Sequence, residues 1–125
     1  MFIINVPHGL DYFIGIDYKE KNVMQIDIKA FNFENMNDPL MTLSSESDIS
    51  EFCYCFKNTE ASYIFPKNID MSNEHPAEYS VKLKYKNGKV ERFDITDYTF
   101  VYPKMGDKSY IIGKNALMEY IKELN

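Results

Sequence analysis

Hydrophobic and polar side chains alternate through residues 79–95, on both sides of an Asn-Gly pair, in the pattern of a β-hairpin. A two-residue loop would set Val81 opposite Asp94 and so place charge among the apolar residues. A three-residue loop with a left-handed Gly88 instead sets Val81 opposite Phe93. We therefore predict the longer loop, with one buried face and one basic face. The basic face and the tip carry Lys82, Lys84, Lys86, Lys89 and Arg92.

A second hairpin is predicted within residues 11–33, where apolar residues again alternate. A loop over residues 20–22, with Asn22 left-handed, would set Ile16 opposite Ile26 and close a buried face. The reverse face is mostly polar and would bring Asp17 close to Asp27. A short strand over residues 2–6 is expected before it.

The segment after the apolar run at residues 40–43 carries the start signals of a helix. Asp48 as N-cap, with Glu51 three residues later, forms a capping-box pattern. The apolar residues that follow at helical spacing are Ile49, Phe52, Cys53 and Phe56. A strand over residues 52–56 is the alternative, because aromatic residues also favour sheets. We prefer the helix.

Further strands are predicted at residues 61–65, 97–102 and 110–112, and a last helix begins near Asn115. The apolar stripe of that helix is Leu117, Tyr120, Ile121 and Leu124. The pattern predicts a single α+β domain over residues 1–125. Its antiparallel sheet would contain about six or seven strands built from hairpins, with two helices and the C-terminal one packed on the sheet.

Composition agrees with a folded domain, since 45% of the 125 residues are hydrophobic and 15% are aromatic. The N-terminal apolar run breaks at Asn5 and Pro7 and lacks a basic flank, so we predict neither a signal peptide nor a membrane span. Cys53 and Cys55 are too close to bridge each other without strain. Two free thiols and no leader predict a cytoplasmic protein.

Charge is unevenly distributed along the chain, whose net value is −5. Residues 1–76 hold 5 Lys and 12 acidic residues, giving −7, and residues 77–125 hold 9 basic and 7 acidic residues, giving +2. This balance argues against nucleic acid as the main partner, because phosphate binding needs a broad basic surface. A basic partner would instead be attracted to the acidic part.

No motif for catalysis, a metal or a cofactor stands out in the sequence. Cys53 and Cys55 with His8 and His75 could supply metal ligands, but residues two apart on a helix point to nearly opposite sides. Neither histidine is linked by a motif to a nucleophile, and the glycines are too scattered for a phosphate loop. The pair Asp17 and Asp27 is the best carboxylate candidate, but we prefer to interpret it as part of an ordinary polar sheet face. We predict no catalytic residue, metal site or cofactor.

An acidic surface is the remaining functional signal, and its residues are Glu46, Asp48, Glu51 and Tyr54. Acidic residues near a helix N-terminus are favoured by the helix dipole, which accounts for part of this cluster. Tyrosine beside carboxylates is also what a binding surface for a basic protein would use. These four residues are our predicted partner-binding site.

Three classes of function stay open. The first is a non-catalytic inhibitor that occludes a basic partner protein, of the type of immunity proteins and phage anti-defence inhibitors. The second is an enzyme or small-molecule receptor with a pocket between sheet and helices, and the third is a subunit of a larger assembly, including a homodimer through a strand edge. We favour the first class, in which the protein is not an enzyme and does not bind membranes.

Overall fold

The computed structural model of the protein describes residues 7–15, 18–31, 40–63, 78–104 and 108–124. Its strands are β1 (His8–Gly9), β2 (Val23–Phe31), β3 (Leu40–Leu43), β4 (Glu60–Ser62), β5 (Glu78–Tyr85), β6 (Val90–Thr96), β7 (Thr99–Val101) and β8 (Lys108–Ile112). Its helices are α1 (Leu10–Ile14), α2 (Glu46–Lys57) and α3 (Ala116–Leu124), with a short 3-10 helix at Glu20–Asn22.

The eight strands within these ranges form one antiparallel sheet in the order β1-β4-β8-β7-β6-β5-β2-β3. Helices α2 and α3 pack on one face of this sheet. The predicted α+β class, with an antiparallel sheet and the C-terminal helix packed on it, is therefore confirmed. The described residues contain slightly more strands and one more helix than we predicted.

The hairpin of β5 and β6 has the predicted register, with Val81 opposite Phe93 and Tyr79 opposite Ile95. Gly88 has a φ of +90°, which favours glycine at this position of the turn. The backbone N–H of Tyr85 donates to the carbonyl of Lys89 at 2.9 Å, which closes the three-residue loop. Alternation thus determined this register correctly.

The first half of the second predicted hairpin is wrong, because a helix replaces the expected strand at Ile14. In α1, the buried residues Leu10, Phe13 and Ile14 follow helical spacing. Strand β2 forms as predicted but pairs with β3 on one side and β5 on the other, so neither edge is left for a preceding strand. Residues 2–6, Ile16 and Asp17 lie outside the described residues.

Helix α2 confirms the helical interpretation over the strand alternative. All four predicted core residues on it are buried, namely Ile49, Phe52, Cys53 and Phe56. The predicted N-cap is wrong, since the helix begins three residues earlier than expected and Ser45 caps it. The Ser45 Oγ accepts from the backbone N–H of Asp48 at 3.2 Å, which places Asp48 inside the first turn.

Helix α3 begins after Asn115, close to the predicted position. The Asn115 Oδ1 accepts from the Met118 N–H at 3.0 Å, and its Nδ2 donates to the carbonyl of Thr96 at 3.1 Å. Thr59, at the end of α2, accepts from the Leu117 N–H at 2.9 Å through its buried Oγ1. These bonds connect α3 to both α2 and the sheet.

Aromatic side chains fill the core between the helices and the sheet. The ring of Phe56 on α2 stacks on Phe93 of β6, with centroids 5.1 Å apart, and Phe93 lies 5.2 Å from Phe100 of β7. No helix within the described ranges has the length and apolar composition needed to cross a membrane.

The N-cap assignment predicts which polar side chain stabilises the start of α2. Ser45→Ala should lower the free energy of unfolding by about 1 kcal/mol, because it removes the acceptor for the Asp48 N–H. Asp48→Asn should lower it by less, since only the favourable charge near the helix N-terminus is lost. Urea unfolding of both variants checks this order, and a larger effect of Asp48→Asn would contradict it.

Candidate functional site

The predicted partner-binding residues Glu46, Asp48, Glu51 and Tyr54 all lie exposed on α2, and we refer to them as the α2 acidic surface. Asp48, Glu51 and Tyr54 follow one another at three-residue intervals and therefore form one ridge along the helix. Glu46 projects from a different side of the first turn, because two residues along a helix correspond to a large rotation. The structure thus brings three of the four residues together.

Tyr54 is the most exposed large hydrophobic side chain among the described residues, with 64% of its surface accessible. The opposite side of the same helix is anchored in the core through Phe52 and Phe56, which are fully buried. The Asn58 side chain donates to the Tyr54 carbonyl at 2.7 Å and completes the last turn. The aromatic ring is therefore presented to solvent from a rigid support.

Carboxylates of α2 create a negative field that extends to α3. Burial, followed by the charges of Glu51 and Asp48, raises the pKa of Tyr120 on α3 to about 12. Burial also raises the pKa of the half-buried Cys55 thiol, to which the charges of Glu51 and Glu123 contribute. A cation that approaches this side of the helix layer would be stabilised by the same charges.

Four of the other ten acidic residues in the described ranges form ion pairs with lysine. The carboxylate–ammonium pairs are Asp27 with Lys82 and Lys84, Glu91 with Lys104, Asp97 with Lys122, and Glu119 with Lys114. Among the described residues, no ion pair involves the side chains of Glu46, Asp48 or Glu51. Within the described residues, no lysine or arginine therefore offsets the negative charge of the α2 acidic surface through an ion pair.

Asp27 lies on the sheet face opposite the helices and is only 6% exposed. Its carboxylate accepts from the side chains of Gln25 at 2.8 Å and Thr42 at 3.1 Å, and Lys84 lies 3.3 Å away. Burial acts to raise the Asp27 pKa, but these hydrogen bonds and the charge of Lys84 outweigh it and lower the pKa. The predicted polar face is present, and the proposed neighbour Asp17 lies outside the described residues.

Glu91 is a buried carboxylate that the sequence analysis did not single out. It shares the core face of β6 with Phe93, accepts a hydrogen bond from the Tyr102 hydroxyl, and lies 2.9 Å from Lys104 Nζ. The predicted hairpin register already placed Glu91 opposite Leu83, and this position indicated that Glu91 would lie on the buried face. A charged residue within an apolar row requires such partners.

A shallow groove lies beside Glu91, between the start of β6 and the turn that follows β7. Its volume is about 260 Å³, and its lining residues are Val90, Glu91, Arg92, Tyr102, Pro103 and Lys104. This is slightly smaller than a typical small-molecule pocket of roughly 300 Å³ or more. The groove is not the pocket between sheet and helices that the second functional class requires.

The cysteines lie on α2, with Cys53 buried and Cys55 half-buried. Burial raises the pKa of the Cys53 thiol, which makes it a poor metal ligand and nucleophile. His8 stacks on Tyr12, with ring centroids 3.8 Å apart, and His75 lies outside the described residues. Across the described ranges, no three or more histidine, cysteine or acidic side chains are grouped to hold a metal ion.

Comparison with known proteins gives no relative: no family model matches the chain, and neither a curated protein nor a solved structure matches it significantly. The function of the protein is therefore inferred from its residues and their geometry.

The lowered pKa of Asp27 predicts acid-sensitive stability. A depressed carboxyl pKa stabilises the fold above the ordinary value of about 4, and this contribution is lost as the pH falls through the folded-state pKa. Asp27→Asn should lower the free energy of unfolding by about 1–3 kcal/mol at neutral pH. The difference from wild type should stay constant above about pH 5 and shrink toward pH 2 in urea titrations. A difference that is independent of pH would contradict this.

The Glu91 network predicts unequal effects of its two partners. Tyr102→Phe should lower the free energy of unfolding by about 1–3 kcal/mol, because it leaves a buried carboxylate short of a donor. Lys104→Met should cost less than about 1 kcal/mol, since the ammonium is largely exposed. Thermal and urea unfolding measure both effects, and equal losses would contradict this account.

Proposed function

We propose that the protein is a non-catalytic protein-binding domain whose α2 acidic surface contacts and occludes a basic partner protein. This is an inhibitory role of the immunity-protein or anti-defence type. The single observation that carries the proposal is the ridge of Asp48, Glu51 and Tyr54, which combines an exposed aromatic ring with carboxylates that form no ion pair with another described residue.

In protein interfaces, aromatic side chains supply much of the binding energy, and charged side chains speed association and orient the partners. An exposed tyrosine supplies a large contact area at a low entropic cost, and tyrosine is enriched among residues that dominate binding energy. Carboxylates around it accelerate association with a cationic surface and align the two partners. Because the core fixes α2, little ordering free energy is lost when the ridge binds.

A small-molecule receptor is the second candidate, and the groove beside Glu91 supports it. Its buried carboxylate and the Tyr102 hydroxyl could select a polar ligand. A ligand that binds only the folded protein would raise its melting temperature, so a metabolite screen by thermal shift tests this candidate. The exposed α2 ridge, whose carboxylates pair with no other described residue, favours the protein-binding function over it.

Charge reversal on α2 tests the proposed function. Extract from the source cell is passed over immobilised wild type at low and moderate salt, and retained proteins are quantified by mass spectrometry. We expect a basic protein that is enriched on wild type and is lost at moderate salt. Glu51→Lys with Tyr54→Ala should reduce its retention about tenfold or more, since both charge steering and the aromatic contact are removed.

A matched control separates a local effect from net charge. Glu20→Lys with Tyr63→Ala makes the same change in charge and removes an exposed tyrosine elsewhere on the molecule. Retention by this control should equal that of wild type. Equal losses in both variants, or retention that survives the α2 substitutions, would exclude the α2 acidic surface as the binding site.

A further inference from the structure

The sheet face opposite the helices carries a row of four polar side chains on neighbouring strands, and three of them are charged. Thr42 of β3 lies opposite Asp27 of β2, Asp27 opposite Lys82 of β5, and Lys82 opposite Arg92 of β6. Lys84 lies two residues along β5 from Lys82 and therefore on the same face. We refer to Lys82, Lys84 and Arg92 as the cationic row.

Two like charges in the cationic row are held at the closest cross-strand spacing. The hydrogen bond from the Tyr85 N–H to the Lys89 carbonyl fixes which pairs of β5 and β6 exchange backbone hydrogen bonds. Counting along the ladder from it, Lys82 and Arg92 form a non-hydrogen-bonded pair, in which opposed side chains are nearest. Like charges directly opposite each other destabilise a sheet.

Asp27 pairs with two of the three cations. Asp27 lies 3.3 Å from Lys84 and 3.9 Å from Lys82, and it is itself fixed by Gln25 and Thr42. Arg92 is exposed and takes part in no ion pair with another described residue. Asp94 lies two residues along β6 from Arg92 and therefore on the same face, so the three cations exceed the two neighbouring carboxylates by one positive charge. The ion pairs with Asp27 hold Lys82 and Lys84 in place before any partner binds.

From this arrangement we propose that the cationic row is a second interaction surface, which binds a carboxylate-rich segment of an acidic protein. A carboxylate placed beside Arg92 would offset the Lys82–Arg92 repulsion and complete a row in which the two cations lie between two anions. Arginine pairs with carboxylates through two parallel hydrogen bonds, which gives such a contact direction as well as charge. This surface is on the opposite side of the sheet from α2 and does not depend on the proposed function.

The small size of the row favours an acidic protein over nucleic acid as its partner. Its three cations span two neighbouring strands, which lie about 5 Å apart. Nucleic-acid binding without base readout depends on several phosphate contacts over a broad basic surface, and the chain as a whole has a net charge of −5. A few carboxylates on an extended segment are enough to neutralise a row of this size.

The test uses the full chain and a fluorescein-labelled peptide of alternating glutamate and serine, whose carboxylates share one side when it is extended. We expect salt-sensitive binding by fluorescence anisotropy and no binding of the glutamine analogue. Arg92→Glu should weaken binding about tenfold or more and raise the melting temperature by about 1–4 °C, because it replaces a repulsive cross-strand pair with an attractive one.

Lys89→Glu is the matched control, since it makes the same change in charge at the exposed tip of the hairpin and outside the row. It should change affinity by less than about threefold. Arg92→Gln is a second, milder variant, and it should fold normally because the Arg92 side chain is exposed. The proposal is overturned if wild type does not bind the peptide, if both reversals weaken binding equally, or if oligothymidylate binds more tightly than the peptide.

Discussion

Stacking of Phe56 on Phe93, with ring centroids 5.1 Å apart, determines how the helix layer lies on the sheet. Phe56 brings one side of α2 into the core, and Phe93 occupies the centre of the β6 face. Because a helix can bury only one stripe, this contact decides which residues of α2 face solvent. The orientation of Asp48, Glu51 and Tyr54 is a consequence of core packing and would be lost if the helix rotated.

The same packing gives the sheet two different faces. Side chains alternate along β5, so burial of Val81 and Leu83 against the helices leaves Lys82 and Lys84 on the other side. The acidic surface on α2 and the cationic row therefore occupy opposite sides of the molecule. Neither can be moved to the other face without a one-residue register slip that would expose the core.

Two buried carboxylates, Asp27 and Glu91, hold neighbouring segments of the fold together through their hydrogen bonds and ion pairs. Asp27 lies on the polar face and Glu91 on the core face, and each is held by donors from neighbouring segments of the fold. Removing a partner from such a group leaves an uncompensated buried charge, which destabilises more than the pair itself stabilises. These two networks consequently fix where the cations around them lie, including Lys84 of the cationic row.

Periodicity alone determined the β5–β6 register, the buried stripe of α2 and the α+β class, because each depends on short-range alternation or on the helical repeat. The predicted stripe of α3 is only partly correct, because Leu124 at the end of the helix is 37% exposed and Met118 is buried instead. Only the tertiary structure decided that residues around Ile14 form a helix, because β2 is already paired on both edges. Ser45 rather than Asp48 caps α2 for a similar reason, since both fit the local pattern and packing sets where the helix begins. The position of Asp27 beside Lys82 likewise required the strand order, because β2 and β5 are distant in sequence and pair only in the folded sheet.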